Sequence, residues 1–119
     1  MKILDGLKVI DLTTIISGPY AASLLADLGA NVIKVEKPGG GDDTRRIGPP
    51  FINGESAAFL QLNRNKRSIA LDLKADKGID VFEKLVSGVD VMIENFRHGI
   101  TERLRIDYET VCKTKADIV

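Results

Sequence analysis

Apolar positions along the chain fall into two kinds of run. Leu7–Leu12 (LKVIDL) and Val32–Val35 (VIKV) are short and rich in β-branched residues, as strands covered on both faces are. Between them, Tyr20–Leu28 is almost entirely apolar or small, with Asp27 its only charge, and Gly29 stops it. Ser17-Gly18-Pro19 supplies a cap, a flexible turn residue and a proline suited to the first helical position. A helix so apolar on every side is expected to lie sandwiched within the fold. Thr13–Lys37 therefore reads as strand end, turn, helix and second strand. That is a β-α-β unit, which implies a right-handed crossover and a parallel sheet.

The periodicity then lapses over Glu36–Pro50 (EKPGGGDDTRRIGPP), a long loop of the kind that often carries function. Glu55–Leu62 predicts a short helix and Ser68–Leu73 a third strand. Over Ala75–Val86, Ile79, Phe82, Leu85 and Val86 recur at helical spacing, giving an amphipathic helix. Its interior Gly78 costs about 1 kcal/mol against alanine. Val89–Ile93 predicts a fourth strand, Gly99–Leu104 and Asp107–Lys115 two further helices, and Asp117–Val119 the opening of a fifth strand. The expected fold is α/β, a Rossmann-like parallel sheet with flanking helices. A chain that stops where a parallel strand begins points to a fragment of a larger domain; a short terminal edge strand is the alternative.

Composition narrows the class. At 119 residues, 44% apolar and 29% charged, the chain has the size and make-up of one globular domain. Its formal charge is zero, so no basic field draws it to nucleic acid or to an anionic membrane. No apolar run approaches the roughly 20 residues of a membrane span. One cysteine, Cys112, forms no internal disulfide, and the amino terminus lacks a signal-peptide layout. A cytoplasmic location is expected.

The turn after the first strand contains only Gly18, so the G-x-G-x-x-G dinucleotide fingerprint is absent, and Gly39-Gly40-Gly41 lies in a later loop. NAD and FAD are not expected. Basic residues follow several strands: Lys37 the second, Lys74 the third, Arg97 the fourth, with Arg103 beyond. Parallel strands end on one edge, so these four cations can converge on one polyanionic ligand. Asn95-Phe96 at the same edge suits an amide and a ring flanking a purine. Arg64, Lys66 and Arg67 precede the third strand and are expected at the opposite edge. His98 is the single histidine, and Asp42 and Asp43 suit a turn and a cap as well as catalysis. No cluster has metal-ligand spacing.

Three segments, SGPYAASLLADLGANVIKVEKPGGGDDTR, NRNKRSIALDLK and DVMIENFRHG…RL…DYE, resemble in order and spacing the amino-terminal part of a family III coenzyme A transferase, the CaiB/BaiF group. The resemblance covers essentially the whole chain. It implies a Rossmann-like domain without the dinucleotide glycines that binds the nucleotide end of coenzyme A. It further implies coenzyme contacts at Ile16, Ser17 and Lys37, at Leu71, Asp72, Leu73 and Lys74, at Asn95, Phe96 and Arg97, and at Arg103. In such enzymes an aspartate attacks the acyl-CoA thioester, a mixed anhydride forms, and a carboxylic acid finally takes over the CoA. That aspartate is expected beyond Val119, so no residue here is assigned to catalysis and the chain alone is expected to be inactive. Coenzyme A and acyl-CoA are substrates, no tightly bound cofactor is implied, and the complete protein is expected to be an interlinked homodimer.

Two departures stand out. Arg105 replaces a glycine usual after Arg-Leu, and Lys113-Thr114-Lys115-Ala116-Asp117 replaces an asparagine-proline turn. An α-methylacyl-CoA racemase of the same superfamily and a non-catalytic nucleotide-binding module remain open as alternatives.

Overall fold

The computed structural model describes residues 2–119. Four parallel strands form one sheet: β1 (Lys8–Asp11), β2 (Asn31–Glu36), β5 (Arg67–Ala70) and β6 (Val91–Ile93). Their order is β5-β2-β1-β6, so the first strand of the chain lies inside the sheet. Counted along the chain, these strands lie 3-2-1-4, the order of a Rossmann half, and the direction of winding switches between β1 and β6. β1 pairs in parallel with both neighbours, Val9 opposite Val32 on one side and Val91 on the other.

Alternation along the strands sorts the side chains into two layers. Val9, Val32, Val91 and Ile93 meet Ala22 and Ala26 of helix α1 (Ser17–Asp27). On the other face Ile10, Leu12 and Val35 meet Ile79, Phe82 and Val86 of α3 (Asp76–Val86) and Val111 of α5 (Tyr108–Thr114). Small residues on α1 and large ones on α3 fill the two layers differently. α3 follows its expected span to within a residue, as does α4 (Ile100–Leu104).

Several expectations need correction. α1 begins at Ser17 itself, with Ile16 in the cap position and no side chain bonding there. Ser17 is thus helical, and its hydroxyl does not cap the helix. Nor is α1 sandwiched on all sides: Gly18, Pro19, Ala22, Ser23 and Ala26 are buried, while Tyr20, Leu24 and Leu28 are exposed. The expected helix from Glu55 starts only at α2 (Ala57–Leu62), since Glu55–Ser56 is strand β4, paired antiparallel with β3 (Phe51–Ile52). β5 stops at Ala70, three residues early, because the chain folds into a turn at Asp72 that accepts from Ala75 N.

Residues 117–119 form no regular strand, yet Val119 bonds along β6, its N–H to Asp90 O and its carbonyl to Met92 N. The expected strand opening is therefore present as a single residue's pairing. Arg105 ends α4 in the left-handed region at φ +61°, with Arg105 N bonding to Glu102 O and Ile106 N to Thr101 O. This closure favours glycine, and a non-glycine residue there costs about 1–2 kcal/mol. The departure at Arg105 therefore keeps the backbone shape a glycine prefers, and its guanidinium pairs with Asp76 at 2.7 Å.

Candidate functional site

A hollow of about 170 Å³ opens at the carboxyl edge of the sheet. Leu12, Val35, Leu71, Leu73, Phe96 and Leu104 make its walls apolar. Thr13 and Thr14 arrive from β1, Lys37 from β2, and Asp72 and Lys74 from the turn after β5. A neighbouring depression is lined by Leu73, Lys74, Arg103, Leu104 and Arg105. Leu73, Lys74 and Leu104 border both, so the hollow lined by Lys37 and the depression lined by Arg103 adjoin at Lys74. Parallel strand ends explain this gathering, and α4 brings Arg103 across the rim.

The other expected contacts divide. Leu71, Asp72, Leu73 and Phe96 line the hollow. Ile16 and Ser17 sit exposed at the start of α1 and line neither depression; Arg97 is exposed and lines neither. Asn95 spends its carboxamide on the chain itself: Oδ1 accepts from Thr14 N and Nδ2 donates to Thr14 O, both at 2.9 Å. Lys37 is not idle either, since its ammonium rests 2.7 Å from the Asp43 carboxylate. That contact, with Arg46 on the same carboxylate, holds the Asp43 carboxyl below the usual carboxylate range. Asp42 caps the short turn Asp43–Arg46 by accepting from Thr44 N at 3.0 Å.

Beneath the first turn lies a group of buried charges that the sequence reading missed. Asp11, Lys34 and Asp42 are all within 2% of full burial. Lys34 Nζ lies 2.9 Å from Asp42 Oδ2 and donates to Thr13 O at 2.8 Å. The Asp42 contact is off the hydrogen-bonding angle, so Oδ2 has a counter-charge but no aligned donor. Lys66, far from forming a basic patch, turns inward to Asp11 Oδ2 at 2.8 Å and to Pro19 O at 2.8 Å. Burial pulls the Lys66 ammonium below its ordinary value, partly opposed by Asp11. The signal for this group was a spacing of two: Asp11 follows Val9, and Lys34 and Glu36 follow Val32, on the same sheet face.

Glu36 extends the group toward the hairpin. Arg45 donates to Oε1 and Oε2 at 2.8 Å each, Ser68 Oγ to Oε1 at 2.7 Å and Asp42 N to Oε2 at 2.8 Å. Burial alone would push this carboxyl up, but these donors outweigh it and hold Glu36 at about 2, against an ordinary 4.5. A depressed carboxyl stabilises the fold above its unfolded value and loses that contribution as pH falls. Stability should therefore fall as pH drops from about 4.5 toward 2, and Glu36→Gln should flatten that part of the profile in urea titrations at stepped pH.

The family described as CoA-transferase family III matches residues 4–119. This chain belongs to CoA-transferase family III. Over all 119 residues it is 46% identical to the succinyl-CoA:glutarate CoA-transferase of Mus musculus, of which it covers 27%. It is 44% identical over 97% of its length to the acetyl-CoA:oxalate CoA-transferase of Acetobacter aceti, covering 29% of that protein. The crystal structure of a CaiB/BaiF family protein from Brucella suis superposes on 95% of the chain and 31% of its own, at 46% identity and a TM-score of 0.90. The chain thus spans less than a third of the length of these family members. Among the described residues of this family III chain, no helix is long and apolar enough to cross a membrane.

Proposed function

We propose that this chain supplies the coenzyme-A-binding part of a transferase that moves CoA between an acyl-CoA thioester and a carboxylic acid. The observation that carries the reading is the pair of adjoining depressions, one lined by Lys37 and Lys74 and the other by Lys74 and Arg103. The nucleotide end of coenzyme A presents an apolar-faced purine, a ribose phosphate and a pyrophosphate. Leu71, Leu73 and Phe96 offer surfaces for the ring, and the cations offer charge-assisted bonds to phosphate oxygens. Lys37 would exchange Asp43 for a phosphate on binding, a trade between two exposed anions that costs little. Ile16, Ser17 and Arg97 stand outside the apolar hollow, where they can meet the rest of the ligand.

The chemistry fits a carboxylate relay run from a residue outside this chain. An aspartate attacks the thioester carbonyl, releases CoA thiolate and leaves a mixed anhydride. The thiolate then attacks the aspartyl carbonyl of that anhydride, expels the donor carboxylate and leaves an enzyme thioester, from which the acceptor acid takes the CoA by the reverse steps. Succinate, glutarate and oxalate in the relatives' names make small dicarboxylic acids the class to try first.

Titrating CoA calorimetrically into the longest polypeptide that carries this sequence tests the reading. Lys74→Ala and Lys37→Ala should each weaken binding by roughly tenfold, the size of one charge-assisted bond. Absence of CoA binding, or binding by both variants as tight as the parent's, would sink it.

A further inference from the structure

The turn from Thr13 to Ser17 carries more restraints than coenzyme contact alone requires. Ile15 lies at φ +73°, in the left-handed region. A β-branched side chain there is a true outlier, and it persists only when its surroundings hold it. Three separate segments do so. Asn95, past β6, pairs with both the N–H and the carbonyl of Thr14 at 2.9 Å. Asp42, from the loop after β2, accepts from Ile15 N at 3.2 Å, and Lys34 donates to Thr13 O at 2.8 Å. Thr13 and Thr14 form one wall of the hollow, and Ile16 and Ser17 follow at once.

We infer that Asn95 and Asp42 are positioning residues that clamp Thr13–Ser17 in a strained shape, Asn95 acting on the bound coenzyme through that turn without touching it, while Asp42 also lines the hollow. The inference rests on the coenzyme reading above and changes the role that the family resemblance implied for Asn95. Its carboxamide is matched edge to edge with the N–H and the carbonyl of Thr14, and Asn95 lines neither depression. Asp42 holds the same turn through Ile15 N, with its side chain fully buried. Without the clamps Ile15 is free to relax to negative φ, which swings the wall of the hollow and the start of α1 together.

The test uses strain relief as its readout. Asn95→Ala should weaken CoA binding about tenfold and speed amide exchange at Thr14 and Ile15 by at least as much. Glycine accepts positive φ without steric cost. Ile15→Gly combined with Asn95→Ala should therefore bring CoA affinity back to within about threefold of the Ile15→Gly protein. A residue that touches the ligand, or one that merely stabilises the fold, would not be rescued in this way. Asn95→Asp keeps the bond from Thr14 N and loses the one to Thr14 O. It should show the same pattern at smaller amplitude, and it serves if the alanine variant does not fold.

If Asn95→Ala binds CoA as tightly as the parent, the clamp is overturned while the coenzyme reading stands. Lost affinity that Ile15→Gly leaves unrescued also overturns it, assigning Asn95 to direct contact. If the parent itself binds no CoA, the coenzyme reading fails. The clamp is then judged by exchange alone, and unchanged protection of Thr14 and Ile15 in Asn95→Ala overturns it.

Discussion

Gly78→Ala is expected to destabilise the protein by about 2 kcal/mol, although alanine is the better helix former by about 1 kcal/mol. A Cβ built at position 78 would sit 1.9 Å from Asp72 O and 2.7 Å from Asp72 C. Both obstacles are backbone, so no side chain can swing aside. Either α3 lifts from the sheet, disturbing Ile79 and Phe82 in the core, or the turn at Asp72 moves. That turn holds Leu71, Leu73 and Lys74 against the hollow, so coenzyme affinity should fall with stability. For a domain of this size the loss corresponds to a melting temperature lower by roughly 5–10 °C. Scanning calorimetry decides the matter: a variant that melts higher than the parent would mean the turn yields freely and the close approach is not a constraint.

Lys34→Met should cost more, on the order of 3–5 kcal/mol, because it removes a cation from between buried carboxylates. Lys34 and Lys66 oppose Asp11 and Asp42, two charges of each sign, and Lys34 is the one that touches Asp42. Taking it away leaves Asp42 Oδ2 buried with neither a counter-charge nor an aligned donor. Lys34→Met with Asp42→Asn restores neutrality and should recover a large part of the loss, since a neutral amide is far cheaper to bury than a lone carboxylate. Urea denaturation of parent, single and double variants measures both steps. A single variant as stable as the parent would show that water reaches Asp42 in the native state.

What the sequence disclosed follows from how strongly each element stamps a period on it. β1, β2 and α3 were legible because β-branched runs and the Ile79, Phe82, Leu85, Val86 spacing admit one reading. α1 misled for the opposite reason. Its residues are small or apolar all round, so nothing in their order separates the buried line of Ala22 and Ala26 from the exposed line of Tyr20, Leu24 and Leu28. The β3–β4 hairpin has two residues per strand, too few for alternation, and Asn53-Gly54 was its one usable mark. That Lys37, Lys74 and Phe96 share one hollow was legible because parallel strands end together. The placement of Ile16, Ser17 and Arg97 outside the hollow was not, since no period governs where a loop side chain sits. Asp11 and Lys34 are charges inside apolar strands, and only the spacing of two sets them on the buried face of Val9 and Val32.

The central place of β1 has a kinetic consequence. Its pairing with β2 closes within the first β-α-β unit, but its pairing with β6 brings Lys8 N to Asp90 Oδ2, 82 residues later. On a ribosome the first strand emerges early and waits for most of the chain before its second neighbour arrives. Closing so long a loop is entropically costly and slows the search for the native state. The β1–β6 pairing is therefore the long-range contact of this sheet that adds most to the cost of folding.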